Sequence, residues 1–87
     1  MFSHVGTLTF NYESPERASV VGASVEREVG EIDDERSRTM LELADRRVTI
    51  TVEARDLVAL RAALNTWNGL VSVAERTTAL VQAADNP

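Results

Sequence analysis

The spacing of apolar residues predicts a two-layer α+β domain with the order strand, helix, strand, strand, helix, in which a three-stranded antiparallel sheet carries both helices on one face. Three observations lead there. Two stretches alternate apolar and polar residues with a period of two, a Ser-Pro-Glu start signal opens a helical stripe between them, and a proline-free apolar segment follows the last alternation.

The first strand spans Phe2 to Tyr12, where His4, Gly6, Leu8, Phe10 and Tyr12 share one face and Val5, Thr7, Thr9 and Asn11 share the other. Ser14 then offers a capping hydroxyl ahead of Pro15, and Glu16 puts a negative charge where the helix dipole favours it. Ala18, Val21, Gly22, Val25 and Val29 recur at helical spacing, and Gly30 reads as the C-terminal cap, so the helix is expected over 15–29. Residues 31–36 read as an acidic loop. A second strand over 38–43 places Thr39, Leu41 and Leu43 on one face, and Ala44-Asp45-Arg46 turns the chain. The third strand has the cleanest alternation, Val48, Ile50, Val52 and Ala54 against Arg47, Thr49, Thr51, Glu53 and Arg55. Asp56 is an N-cap for a single long helix running to about residue 83, with 84–87 as a fraying tail.

A chain of 87 residues holds one core, so a single domain is expected, ordered over about 3–83. No apolar run approaches the roughly 18 residues a membrane span requires, and the first twelve residues lack the layout of a signal peptide, so the cytoplasm is the expected location. Without cysteine there is neither a disulfide nor a thiolate metal site. The formal net charge is −5, and all nine basic residues are arginine. Autonomous nucleic-acid binding usually needs a net basic face, which this composition disfavours. A lysine-free acidic surface fits a host with a salty cytoplasm, and equally a high-GC codon bias.

The last helix carries the functional argument. At about 100° per residue, Arg61, Asn65, Asn68, Ser72, Glu75 and Arg76 gather into one narrow polar band. One apolar arc beside it holds Leu60, Leu64, Trp67, Val71, Ala74 and Val81; the other holds Ala59, Ala62, Leu70, Val73 and Leu80. A three-stranded sheet covers only one arc. Leaving Leu70, Val73 and Leu80 wet would forgo about 1.5–3 kcal/mol each, against a total stability of about 5–15 kcal/mol. The second arc is therefore expected to meet another protein.

The segment from Asp56 to Trp67, with an acid at the strand-to-helix junction, Leu60-Arg61 one turn on, then Asn65, Thr66 and Trp67, resembles the Pcc family. The Pro15-Glu16 helix start and Arg36-Ser37-Arg38 at the second strand extend the likeness over roughly residues 3 to 83. That family is the small dimerising subunit of the KEOPS complex, which makes threonylcarbamoyl-adenosine in tRNA. The resemblance implies a non-catalytic homodimer that docks its helices on the threonylcarbamoyl-transferase subunit and, through it, reaches the kinase-like subunit. It also implies Leu60, Leu64, Trp67, Leu70 and Val71 as contact residues, with arginines helping to hold tRNA.

Read from the residues alone, Arg61 and Asn65 lie one turn apart and can bond a partner or a phosphate, or Arg61 can pair with Asp56 or Glu75 on its own helix. Arg36, Arg38, Arg46 and Arg47, with Arg55, cluster on the second and third strands, as an RNA-supporting face or as a solvent face neutralised by Glu42, Asp45 and Glu53. The acids at 31–35 lack the glycine turn of a calcium loop, His4 is the only histidine, and the four glycines form no phosphate loop. No metal, cofactor or catalytic group is expected. The alternative to an assembly subunit is a free-standing nucleic-acid-binding domain.

Overall fold

The computed structural model describes the backbone of residues 2–85 and the side chains of 2–31 and 33–78. The elements run β1 (His4–Asn11), α1 (Pro15–Glu26), α2 (Val29–Ile32), β2 (Ser37–Ala44), β3 (Arg47–Ala54) and α3 (Leu57–Asp85). The sheet has the order β1-β3-β2, with both pairings antiparallel. The expected α+β class and the three-stranded antiparallel sheet are therefore present, with the strand of cleanest alternation in the middle.

That position follows from the side chains. Val48, Ile50, Val52 and Ala54 of β3 are all fully buried, which the best-covered strand alone can achieve. α1 lies over β2 and β3, and α3 over β1 and β3. Ala18, Val21 and Val25 come down from α1, and Leu60, Ala63, Trp67 and Val71 from α3, to close one core. The opposite sheet face carries Val5, Thr7, Thr9 and Asn11 in β1, the odd-numbered residues of β3, and Arg38, Met40 and Glu42 in β2.

One cap, one glycine and one turn residue fix the backbone. Ser14 accepts from the Arg17 N–H at 3.1 Å and starts α1 as expected. Gly6 lies so close under α3 that a Cβ there would sit 2.9 Å from one Leu64 methyl and 3.2 Å from one of Leu60. The two-residue turn between Ala44 and Arg47 puts Asp45 at φ 55, a left-handed conformation that Asp tolerates better than most residues.

Two expectations about the segment after α1 are corrected. Gly30 does not cap α1, because the helix stops at Glu26 and the Glu28 N–H closes it with a tight bond to the Val25 carbonyl at 3.0 Å. The chain then makes one more turn over Val29–Ile32, closed by the Asp33 N–H on the Val29 carbonyl at 3.2 Å, so Gly30 lies inside a short helix and the acidic segment is partly helical. This bend lets Val29 pack on the core rather than continue along the stripe. α3 runs on through residue 85, past its expected end; of the tail expected to fray, residues 86 and 87 lie outside the described ones.

Candidate protein-docking surface

The start of α3 is fixed by Asp56. Its carboxylate accepts from the Ala59 N–H at 2.7 Å and lies 3.6 Å from the Arg36 guanidinium. The bond from Ala59 first, and then the charge of Arg36, hold the Asp56 carboxyl below the usual range for an aspartate. Farther along, the Glu75 carboxylate accepts from the Tyr12 hydroxyl at 2.8 Å, tying the middle of α3 to the end of β1. Burial, then this bond and the Glu75 charge, push the Tyr12 phenol far above its ordinary value.

Between these anchors the helix divides its apolar residues unequally. Leu60 (8% exposed), Trp67 and Val71 (both 0%) belong to the chain's own core. The Trp67 indole N–H donates to the Thr39 hydroxyl at 3.0 Å, which satisfies the one polar atom that burying a tryptophan creates. These three side chains, expected as contact residues, are enclosed within their own protomer. Leu64 is half-buried over Gly6.

The second arc is open in part, less so than expected. Val73 is 52% exposed and Ala62 is exposed, while Ala59 is buried and Leu70 is half-covered by α1. Leu80 and Val81 lie outside the described side chains. Val58, at 70% exposure, extends this open surface to the first turn, which the angular count had not singled out because it began at Ala59, while Leu57, at 51%, is open on the other side of the polar band. Between α1 and α3 the surface dips into a shallow cleft of about 220 Å³ lined by Ser24, Glu28, Leu70, Val73 and Thr77. An apolar ridge beside a shallow cleft is the relief that a partner helix fits, one row of side chains into the furrow and another over Val73.

The polar residues are dispersed. Arg61 and Asn65 are exposed on α3, and the two acids suggested as intrahelical partners of Arg61 are engaged elsewhere, Asp56 by Arg36 and Glu75 by Tyr12. Arg36, Arg38 and Arg55 occupy one end of the sheet, where Arg38 lies over the Phe2 ring at 5.1 Å. Arg46, beside Asp45 at 3.9 Å, and Arg47, bonded to Asn11 at 3.3 Å, occupy the other end, roughly 20 Å away along β3. The expected arginine cluster is therefore two separate groups, with Arg61 in a third place on the helix layer. Among the described residues no three acidic or histidine side chains converge in a metal-binding arrangement.

Comparison with known proteins matches this arrangement to one family. A chain in the crystal structure of the binary complex Gon7-Pcc1 superposes with a TM-score of 0.80 at 10% identity, over 93% of this chain and 99% of that one. No curated protein matches the sequence. The family model described as "Transcription factor Pcc1" matches residues 5–79, from the first strand through most of α3, so both layers and the open helix flank lie within the match, and the chain belongs to the Pcc1 family.

Proposed function

We propose that this protein is a non-catalytic, dimerising scaffold subunit of the KEOPS complex, supporting threonylcarbamoyl-adenosine modification of tRNA by holding the threonylcarbamoyl-transferase subunit. The observation that carries the reading is the open flank of α3, where Val58, Ala62 and Val73 lie uncovered beside the cleft above Leu70. Its occupant in this reading is a helix of the transferase subunit, with the kinase-like subunit attached beyond it. tRNA enters as a ligand of the whole assembly in the cytoplasm. Arg36, Arg38, Arg46, Arg47, Arg61 and Asn65 are its candidate contacts, too scattered on an acidic chain to grip RNA alone.

Size-exclusion chromatography with light scattering on the chain mixed with the transferase subunit of the same host tests this. Co-elution is expected, and Val73→Glu should abolish it while leaving the circular-dichroism melt unchanged, since the side chain is half out in solvent. The family description as a transcription factor favours a second reading, a nucleic-acid-binding domain. Sub-micromolar binding of RNA or DNA by the isolated chain, falling steeply with salt, together with failure to bind the transferase subunit, would replace the first reading by the second.

A further inference from the structure

β1 is an outer strand of the sheet, with β3 as its neighbour. Tyr12 N–H donates to the Arg46 carbonyl at 2.9 Å, so in this register the even-numbered residues of β1 turn their backbone groups toward β3. Val5, Thr7, Thr9 and Asn11 turn theirs outward. Edge strands are usually guarded by charge, proline or a bulge. From His4 to Asn11 the sequence holds no Asp, Glu, Lys, Arg or Pro, and the pairing with β3 runs unbroken. The outer row of backbone groups is thus open to pairing along the whole strand, and Val5 on it is 60% exposed.

This edge also has a roof. Gly6 lies under Leu60 and Leu64 while Tyr12 reaches Glu75, so α3 runs alongside β1 in the same direction. At about 100° per residue, Leu57, Leu64 and Glu75 fall within roughly 20° of one another, on the side of the helix that overhangs the edge. Leu57 is 51% exposed, and Leu64, Leu8 and Phe10 are only half-buried. Because β3 closes the inner side of Leu8 and Phe10, the open half of each faces outward. Beyond Phe10 the surface turns acidic, in an open depression of about 540 Å³ lined by Asn11, Tyr12, Glu13, Arg17 and Glu75. It sets two carboxylates against one guanidinium, and among the described residues neither carboxylate makes an ion pair. An unguarded edge beside an apolar shelf suits strand addition, in which main-chain bonds supply the grip and alternate side chains the selectivity.

We infer that β1 takes an extended segment of another polypeptide as a fourth strand, antiparallel to it, with apolar side chains at alternate positions and an Arg or Lys at its N-terminal end. The apolar residues stand opposite His4, Gly6, Leu8 and Phe10, point to the helix layer and cover Leu57 and Leu64. The basic residue stands opposite Tyr12, where it meets Glu13 and Glu75. The residues between them bond to the outward backbone groups of Val5, Thr7, Thr9 and Asn11. A reversed segment leaves both carboxylates unmet, so charge fixes direction as well as register. This site lies apart from the α3 flank and does not depend on the proposed function.

The probe is the acetylated peptide Arg-Thr-Val-Thr-Val-Thr-Ile-Ser-Val, fluorescently labelled at its C-terminus and titrated into the full chain. A saturable rise in anisotropy is expected, with amide NMR shifts gathered on β1 and on Leu57 and Leu64. Thr9→Pro removes one outward N–H at an edge, where proline is tolerated, and should weaken binding about tenfold with the circular-dichroism melt retained. Methylating the peptide nitrogen opposite Thr9 tests the same bond without touching the protein and should also cost about tenfold, whereas methylating the one opposite Leu8 should not. Glu13→Gln and Glu75→Gln, the latter keeping an acceptor for Tyr12, should each weaken binding about threefold. No saturable binding to the wild-type chain would overturn the inference, as would binding indifferent to which nitrogen is methylated. Shifts gathered on Val58, Ala62 and Val73 would give the peptide to the α3 flank, and loss of self-association in Thr9→Pro would give the edge to a second copy; either result overturns the inference. Co-elution with the transferase subunit is unaffected by any of these outcomes.

Discussion

Replacing Thr39 by Val isolates the bond that joins the sheet to Trp67 inside the core. The side chain keeps its shape and loses the hydroxyl that accepts from the Trp67 indole at 3.0 Å. Trp67 is 0% exposed and Thr39 only 5%, so water cannot take the lost partner's place. An orphaned buried donor costs about 1–3 kcal/mol, and burying a methyl where the hydroxyl was returns part of it, so a net loss of about 1–2 kcal/mol is expected. In a domain of this size that lowers Tm by roughly 4–8 °C per kcal/mol. Urea unfolding followed by the fluorescence of the single tryptophan measures it directly, at fixed protein concentration so that any dimer contributes equally. Thr39→Ser, which keeps the hydroxyl and drops a methyl, is the control and should cost less than 1 kcal/mol. If Val at position 39 were as stable as Thr, within about 0.3 kcal/mol, the bond would not be holding Trp67 and the account of this core would fail.

Gly6→Ala should destabilise by about 1–3 kcal/mol, because its Cβ would stand 2.9 Å from a Leu64 methyl, and a Leu64→Ala background should shrink that loss; thermal melts of the four variants give the coupling. Tyr12→Phe should cost about 0.5–1.5 kcal/mol through the lost bond to Glu75. Because the fold holds the Tyr12 phenol above its ordinary value of 10.0, the unfolded chain ionises first, and stability contributed by this group falls as pH rises above that value; a melt series in alkali should show a shallower decline for Tyr12→Phe. Asp56 behaves oppositely: its lowered pKa contributes stability that is present above the ordinary 3.8 and lost as pH falls below it, so Asp56→Asn, which keeps the cap, should flatten the acid end of a pH–melt profile.

Where the chain's local rules and its packing agree, the sequence was legible. Ser14-Pro15 starts α1 with the predicted cap bond, and the Val48 to Ala54 alternation becomes the fully buried face of the middle strand. Gly30 misled because a glycine after an apolar stripe signals a cap only if the chain leaves in a left-handed turn, and here an earlier 3₁₀-type bond ends the helix for the sake of placing Val29. The helix flank was legible as an apolar excess, since periodicity alone shows two arcs. Which arc the protomer keeps was not, because Trp67, in the middle of the first arc, is anchored to the sheet through Thr39, twenty-eight positions away in sequence. The arginines were misread as one patch because period-two alternation reports the face of a strand and says nothing of its end; Arg38 and Arg47 share a face and sit at opposite ends.

The central place of β3 has a consequence for how the chain is made. β1 leaves the ribosome first, yet its partner in the sheet is β3, with Asn11 opposite Arg47 and His4 opposite Ala54. The nascent first strand must therefore wait for all of the intervening chain, a few seconds at roughly 5–20 residues per second of synthesis. β2 and β3, joined by a tight turn, can zip together as soon as both emerge. The hairpin thus forms the template and the N-terminal strand arrives last, so ribosome stalling before residue 47 should leave β1 without its partner and open to chaperones.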